Sequence, residues 1–216
     1  MTTLADIVPL LQLRERFGDS VTVKTFDKTE LSKILKDKPL GMHALSGNIW
    51  NRIVTRHWKN VDPMQLRGHF QRHDPKLHVA ISRVIGEDAI RDILMVKAWR
   101  EIPRKANLLM ELLIADVYRD ELHLGDVTFC DPDRPIAPAD RAYGHQSHRG
   151  LGLFGVLVSN METYARERGY KHLTLTAAHA DLVPLFQKHG FEVEDNHVAR
   201  SGLEAGISIP MESAVT

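Results

Sequence analysis

Apolar residues recur at Leu4, Ile7, Val8 and Leu11, the i, i+3, i+4, i+7 spacing of an amphipathic helix. This predicts a helix over about 3–17, with Gly18 as its stop. Val21 to Phe26 is β-branched and alternating, so it reads as a strand. Asp27 then caps a short helix over 29–36 that Pro39 ends. Trp50, Ile53, Val54 and His57 form one stripe of a helix over 49–59. Asp62-Pro63 opens another through Arg72, because proline suits the first helical position behind a capping carboxylate. From Leu77 the pattern changes. Residues 77–85, 90–99 and 108–117 are rich in Val, Ile and Leu and are separated by the turn-like Gly86-Glu87-Asp88 and Pro103-Arg104-Lys105. They read as three consecutive antiparallel strands. Residues 120–145, with three prolines and five aspartates, read as a long insertion in which Leu122 to Phe129 fits one extra strand. Beyond it, Phe154, Leu157, Val158, Met161, Tyr164 and Ala165 make a helical stripe stopped by Gly169. His172 to Ala177 reads as a strand, and 181–189 as a short helix closed by Gly190. Phe191 to Val193 and Gly206 to Met211 read as final strands.

Composition narrows the class. The chain has 216 residues, 28 basic and 28 acidic side chains and no net charge, which argues against a general polyanion binder. One α/β domain over 1–216 is expected, mainly helical over 1–75 with its sheet in 76–216. The single cysteine excludes an internal disulfide framework and fits a reducing compartment. The first residues carry no basic segment followed by an apolar run, so no secretory signal is expected. No apolar stretch approaches the ~20 residues of a spanning helix; Leu108 to Tyr118 is broken by Glu111 and Asp116. The expectation is a cytoplasmic protein with no membrane partner.

Candidate chemistry centres on His148-Arg149-Gly150-Leu151-Gly152-Leu153, immediately before the helix at Phe154. A helix N-terminus offers unpaired N–H groups and partial positive charge, and glycines let the backbone approach a ligand. Together they suit a pyrophosphate, with Arg149 adding charge at the rim. Taken alone, R-G-x-G is neither a dinucleotide fingerprint nor a P-loop. The order strand, R-G-x-G, amphipathic helix, strand, short helix ending in Gly190-Phe191 resembles the GNAT superfamily of acyl-CoA-dependent N-acyltransferases. The likeness covers Leu108 to Phe191 in motif and the first hundred residues in outline. In that family Q/R-x-x-G-x-G/A binds the CoA pyrophosphate; here it falls on Ser147 to Gly152, with Ser147 at the first position and Gln146 beside it. The family's LYxxxGF appears as Leu185 to Phe191, with Phe186 where many members place the tyrosine that protonates the leaving thiolate.

The resemblance implies an α/β fold of GNAT type. Its central sheet is mixed and mostly antiparallel, with flanking helices, extra N-terminal helices and an insertion before the phosphate loop. It implies acetyl-CoA or a longer acyl-CoA as co-substrate, without a metal, and a primary amine on a small molecule, peptide or protein as acceptor. The cofactor-binding set is Ser147, His148, Arg149, Gly150, Leu151, Gly152, Leu153, His179 and Phe186. Met110 to Val117 looks like the family's fourth strand, whose early glutamate is the base in some members, so Glu111 is the candidate base. Asp116 is the runner-up base; five residues on, it faces the other side of a regular strand, so at most one of the two faces the cleft. His145 and His148 flank the loop and either is a candidate proton relay, and Tyr143 is a candidate replacement for the missing tyrosine acid. Cys130 reads as a passive thiol, since Asp131 and Asp133 would raise its pKa. Arg52, Arg56, Lys59, Arg67 and Arg72 form a basic patch that would suit an acidic partner, a carrier-protein donor or aminoacyl-tRNA. The acidic 192–212 stretch could instead balance it within the fold. Two other readings stay open: a sensor or scaffold that binds acyl-CoA without turnover, and a carrier-protein or aminoacyl-tRNA donor. A homodimer is also among the expectations.

Overall fold

The computed structural model describes residues 2–102, 105–117, 119–141 and 146–216. The N-terminal stripe is not one helix. A 3-10 turn at Leu4–Ile7 precedes α1 (Leu10–Phe17), because Pro9 cannot continue the hydrogen-bond ladder. The chain continues through β1 (Val21–Asp27), α2 (Leu31–Asp37), α3 (Pro39–His57), α4 (Pro63–His73) and α5 (Pro75–Arg83). Pro39 starts α3 rather than merely ending the helix before it. Residues 77–85, expected as a strand, lie in α5 and the π-turn that follows it. Asp74 caps α5 by accepting the Leu77 N–H at 3.0 Å, as Asp62 caps α4.

The sheet strands are β2 (Ile90–Ile102), β3 (Lys105–Val117), β4 (Glu121–Phe129), β5 (His172–His179), β6 (Glu192–Val193) and β7 (Ile207–Ala214). Between them lie α6 (Phe154–Arg168), α7 (Val183–Gln187) and α8 (His197–Ala205). The first part of the expected insertion is therefore β4, whose first four residues are all buried. Glu111 lies on the third strand, not the fourth. Sheet order is β1-β2-β3-β4-β5-β7-β6, and every neighbouring pair is antiparallel except β4–β5. This is the mixed, mostly antiparallel, helix-flanked sheet that the resemblance implies. Alternation along β2 and β3 sends side chains to two cores. On one face, Leu94, Val96, Leu112 and Ile114 meet Leu157, Met161 and Ala165 of α6, and Ile7 and Leu13. On the other, Ile93, Met95, Leu113 and Ala115 meet Ile34, Leu45, Ile49, Trp50 and Val54 of α2 and α3.

Two features shape the sheet's centre. Gly125 is an extra residue in β4: Leu113 pairs with Asp126 and Ile114 with Leu124, a bulge that bends the strand. The parallel ladder between β4 and β5 runs only from Glu121–His172 to Leu124–Leu175. Past it the two strands part. Among the described residues, no helix is long and apolar enough to cross a membrane.

Candidate functional site

The gap between β4 and β5 opens at the carboxyl ends of two parallel strands, the place where open α/β sheets receive ligands. The antiparallel passage of α6 brings its N-terminus to the same end. No side chain caps that terminus. The first intrahelical bond recorded there is from Leu157 N–H to Leu153 O, at 3.0 Å. The N–H groups of Phe154 to Val156 precede it and have no helical acceptor of their own. Leading into them, Leu151 is buried in the core and Leu153 packs against it, while Gly150 and Gly152 are exposed. The two leucines anchor the loop from below, so the backbone at the glycines faces outward. Gly152 has φ +76°, a left-handed conformation that a side chain would strain. At Gly150 an added Cβ would meet only Phe129 O at 3.6 Å, an ordinary contact. Arg149 is exposed at the rim, and His148 Nδ1 lies 2.9 Å from Ser147 Oγ. An uncapped helix start behind exposed glycine backbone has the donor set and positive potential that a pyrophosphate needs.

The segment after β4 braces this loop. Asp131 N–H donates to Arg149 O at 2.8 Å, Arg149 N–H to Arg134 O at 2.9 Å, and Ile136 N–H to Ser147 O at 3.0 Å. These bonds were not legible in the sequence, because they join two irregular segments with no periodicity. Cys130 lies beside them. Its thiol is pushed up by burial and then by the Asp131 charge, so it is a poor nucleophile, as expected.

Phe186 is buried. Its ring sits 5.3 Å from Phe154 and 6.5 Å from Phe191, so it packs α7 beneath the start of α6. It has no proton to give. His179 ends β5 opposite Ile207, at the same end of the sheet as the loop. Tyr143 and His145 lie outside the described residues.

Glu111 faces the α2–α3 side, cross-strand from Lys97 and Thr128. Its side chain is 11% exposed and in ion-pair contact with Lys38 at the α2–α3 junction. Lys38 also holds Asp126, the residue after the bulge, at 2.8 Å. Lys97 Nζ lies 3.8 Å from Glu111 and pairs with Asp37. Three carboxylates and two ammonium groups thus gather beside the bulged strand. Asp116 faces the other side, as strand alternation required. It accepts from Tyr170 Oη and from Arg91 at 3.0 and 2.8 Å, a structural anchor away from this cluster.

Three members of the expected basic patch, Arg52, Arg56 and Lys59, pair with carboxylates of the fold, while Arg72 stays exposed on α4. Arg52 is 7% exposed, not on an outer face; it pairs with Glu121 at 2.6 Å, with Glu194 and with Glu212 at 3.3 Å. Arg56 takes Glu121 at 2.7 Å and Asp120 at 3.4 Å, and Lys59 takes Asp195 at 3.2 Å. Burying Arg52 turns Ile53 outward to 38% exposure, against the expected stripe. The acidic 192–212 stretch supplies three of these partners, which is the balancing role the sequence offered for it.

No family model matches the chain, and no curated protein does. Solved structures do. The chain is similar to the GCN5 structure from Tetrahymena at 12% identity and TM-score 0.33, covering 71% of this chain and 86% of that one. It is similar to a Bacillus subtilis acetyltransferase in complex with CoA at 11% identity and TM-score 0.35, covering 66% and 86%. It is also similar to an acetyltransferase from Bacillus cereus at 14% identity and TM-score 0.36, covering 68% and 90%.

Proposed function

We propose that the protein is a GNAT-type N-acyltransferase that moves an acetyl or longer acyl group from acyl-CoA to a primary amine by direct attack. The observation that carries this reading is one juxtaposition. The parted ends of β4 and β5, the exposed glycine backbone at 150–152 and the uncapped start of α6 all lie at one end of the sheet. The loop Ser147 to Leu153 and the α6 N–H groups hold the pyrophosphate, and the gap between the strands takes the acyl-bearing arm. In this reading the oxyanion is stabilised by backbone N–H groups of β4 past Leu124, where the ladder to β5 has ended.

The reaction joins the amine nitrogen to the thioester carbonyl carbon and breaks the carbon–sulfur bond. The amine must be neutral when it attacks, although a free lysine has a pKa of ~10.4. Glu111 is the group assigned to accept its proton. An incoming ammonium competes with Lys38 for Glu111 and Asp126, so binding the acceptor and releasing Lys38 are one event. The departing sulfur leaves as a thiolate and takes its proton from solvent, since Phe186 cannot supply one. That phenylalanine also favours the second reading, a domain that binds acyl-CoA without turnover. A carrier-protein or aminoacyl-tRNA donor has less to recommend it with Arg52, Arg56 and Lys59 paired to carboxylates of the fold.

The test is thiol release from acetyl-CoA and longer acyl-CoAs against a panel of amines, with CoA titrated calorimetrically in parallel. Amine-dependent release supports the enzyme. Binding without release supports the sensor reading. No binding refutes both.

A further inference from the structure

A fully buried carboxylate sits beside the loop assigned to a polyanion. Asp131 has no solvent exposure, and a negative charge there opposes the ligand unless it is neutralised. Its ion-pair partner is Arg16, near the end of α1. We propose that Asp131 is a positioning residue for the phosphate loop, held and neutralised by Arg16, so that the N-terminal helix sets the loop's readiness for its ligand.

The contacts form one chain. The Asp131 carboxylate accepts the Asp133 N–H at 3.1 Å and the Arg16 guanidinium, which fixes the turn after β4. The Asp131 N–H holds Arg149 O at 2.8 Å, one residue before Gly150. The turn has a second clamp: Arg100 of β2 grips Asp133 with two bonds of 2.6 Å. Arg16 and Arg100 both lie over the Phe17 ring, at 5.4 and 5.3 Å, so α1 contacts both clamps. Helix α1 is itself seated by Leu13, fully buried in the core shared with α6. Nothing in this arrangement touches the reacting atoms. Its effect is to fix Arg149 and the glycines after it before the ligand arrives, which lowers the ordering cost of binding.

The test uses the full chain with Arg16→Ala, Asp131→Asn, the double substitution and Arg16→Lys. Backbone hydrogen exchange over 131–136 and 147–153 is read first, because it needs no ligand. Both single variants are expected to exchange faster there, with the rest of the sheet unchanged. The CoA arm rests on the proposed function. In it each single variant weakens CoA binding by roughly tenfold, the double variant is no worse than either, and Arg16→Lys recovers part of the loss. In turnover the loss falls on the KM for acyl-CoA, not on kcat. Wild-type exchange rates in folded variants, or losses that add in the double variant, overturn the inference. Arg16 is 43% exposed at its side chain, so its removal tests the brace even if Asp131→Asn does not fold. If the wild type binds no CoA, the functional reading fails while the exchange arm still judges the brace.

Discussion

His123 offers a pH test of the sheet's centre. It lies on β4 with 2% exposure, and its Nδ1 is 2.8 Å from Thr174 Oγ1 of β5. Burial, then the nearby positive charge of Arg52, pushes its pKa down to about 3 from an ordinary 6.5. Glu121 and Glu194 are both ion-paired with Arg52. The folded protein therefore keeps His123 neutral where the unfolded chain protonates it. The unfolded state binds the extra proton, so stability is full above pH 6.5 and falls as pH drops toward 3. From pH 7.5 to 5.0 this amounts to about 2 kcal/mol, at about 1.4 kcal/mol per pH unit below 6.5. Burial holds Glu194 above the usual carboxylate range, which works in the opposite direction at lower pH. Urea unfolding of the wild type and His123→Phe across that window isolates the histidine, because Glu194 is common to both. The wild type is expected to lose about 2 kcal/mol more than the variant. Equal slopes, or an imidazole that titrates above pH 6 by NMR, refute the reasoning.

Three further outcomes follow from single contacts. Arg52→Ala leaves the buried Glu194 without its cation and Glu121 with Arg56 alone, and is expected to cost about 3–5 kcal/mol in urea unfolding, whereas Lys59→Ala, 67% exposed, stays within about 0.5 kcal/mol. Gly152→Val forces a branched side chain into φ +76°; it is expected to cost roughly 1–2 kcal/mol of stability, read as a lower thermal midpoint, and to weaken CoA binding as well. Glu111→Gln is expected to leave CoA affinity unchanged and to cut turnover at least about 100-fold; full turnover in this variant removes Glu111 as the base.

Much of the last third was legible because its signals are local. Gly169 and Gly190 are stops with positive φ, and the 154–165 stripe is the buried face of α6. The errors arose where two signals competed. The run 77–85 is apolar enough for a strand, but Asp74-Pro75 is the same cap-and-start signal read correctly at Asp62-Pro63. Misplacing that helix shifted the strand count by one and turned β4 into an insertion. Helix α8 went unread although Asn196 caps it and Gly206 closes it, because its apolar face is short. In the site, the glycines and the helix start could be read directly. The Lys38–Glu111–Asp126 cluster could not, since it joins residues far apart in the chain through strand register and a bulge at Gly125. The burial of Arg52 was hidden for the same reason: its partners come from β4, β7 and the turn before α8.

The central claim is that the backbone at Gly150 to Leu153 and the start of α6 receive the CoA pyrophosphate. Calorimetric titration of the wild type and Gly150→Trp with CoA tests it most directly. Gly150 is not among the positive-φ glycines, and a Cβ there makes only an ordinary contact with Phe129 O at 3.6 Å, so the variant should keep the wild-type fold by circular dichroism. The expected result is micromolar binding by the wild type and none by the folded variant. Equal affinity in both would contradict the site, and absence of binding in the wild type would contradict the function.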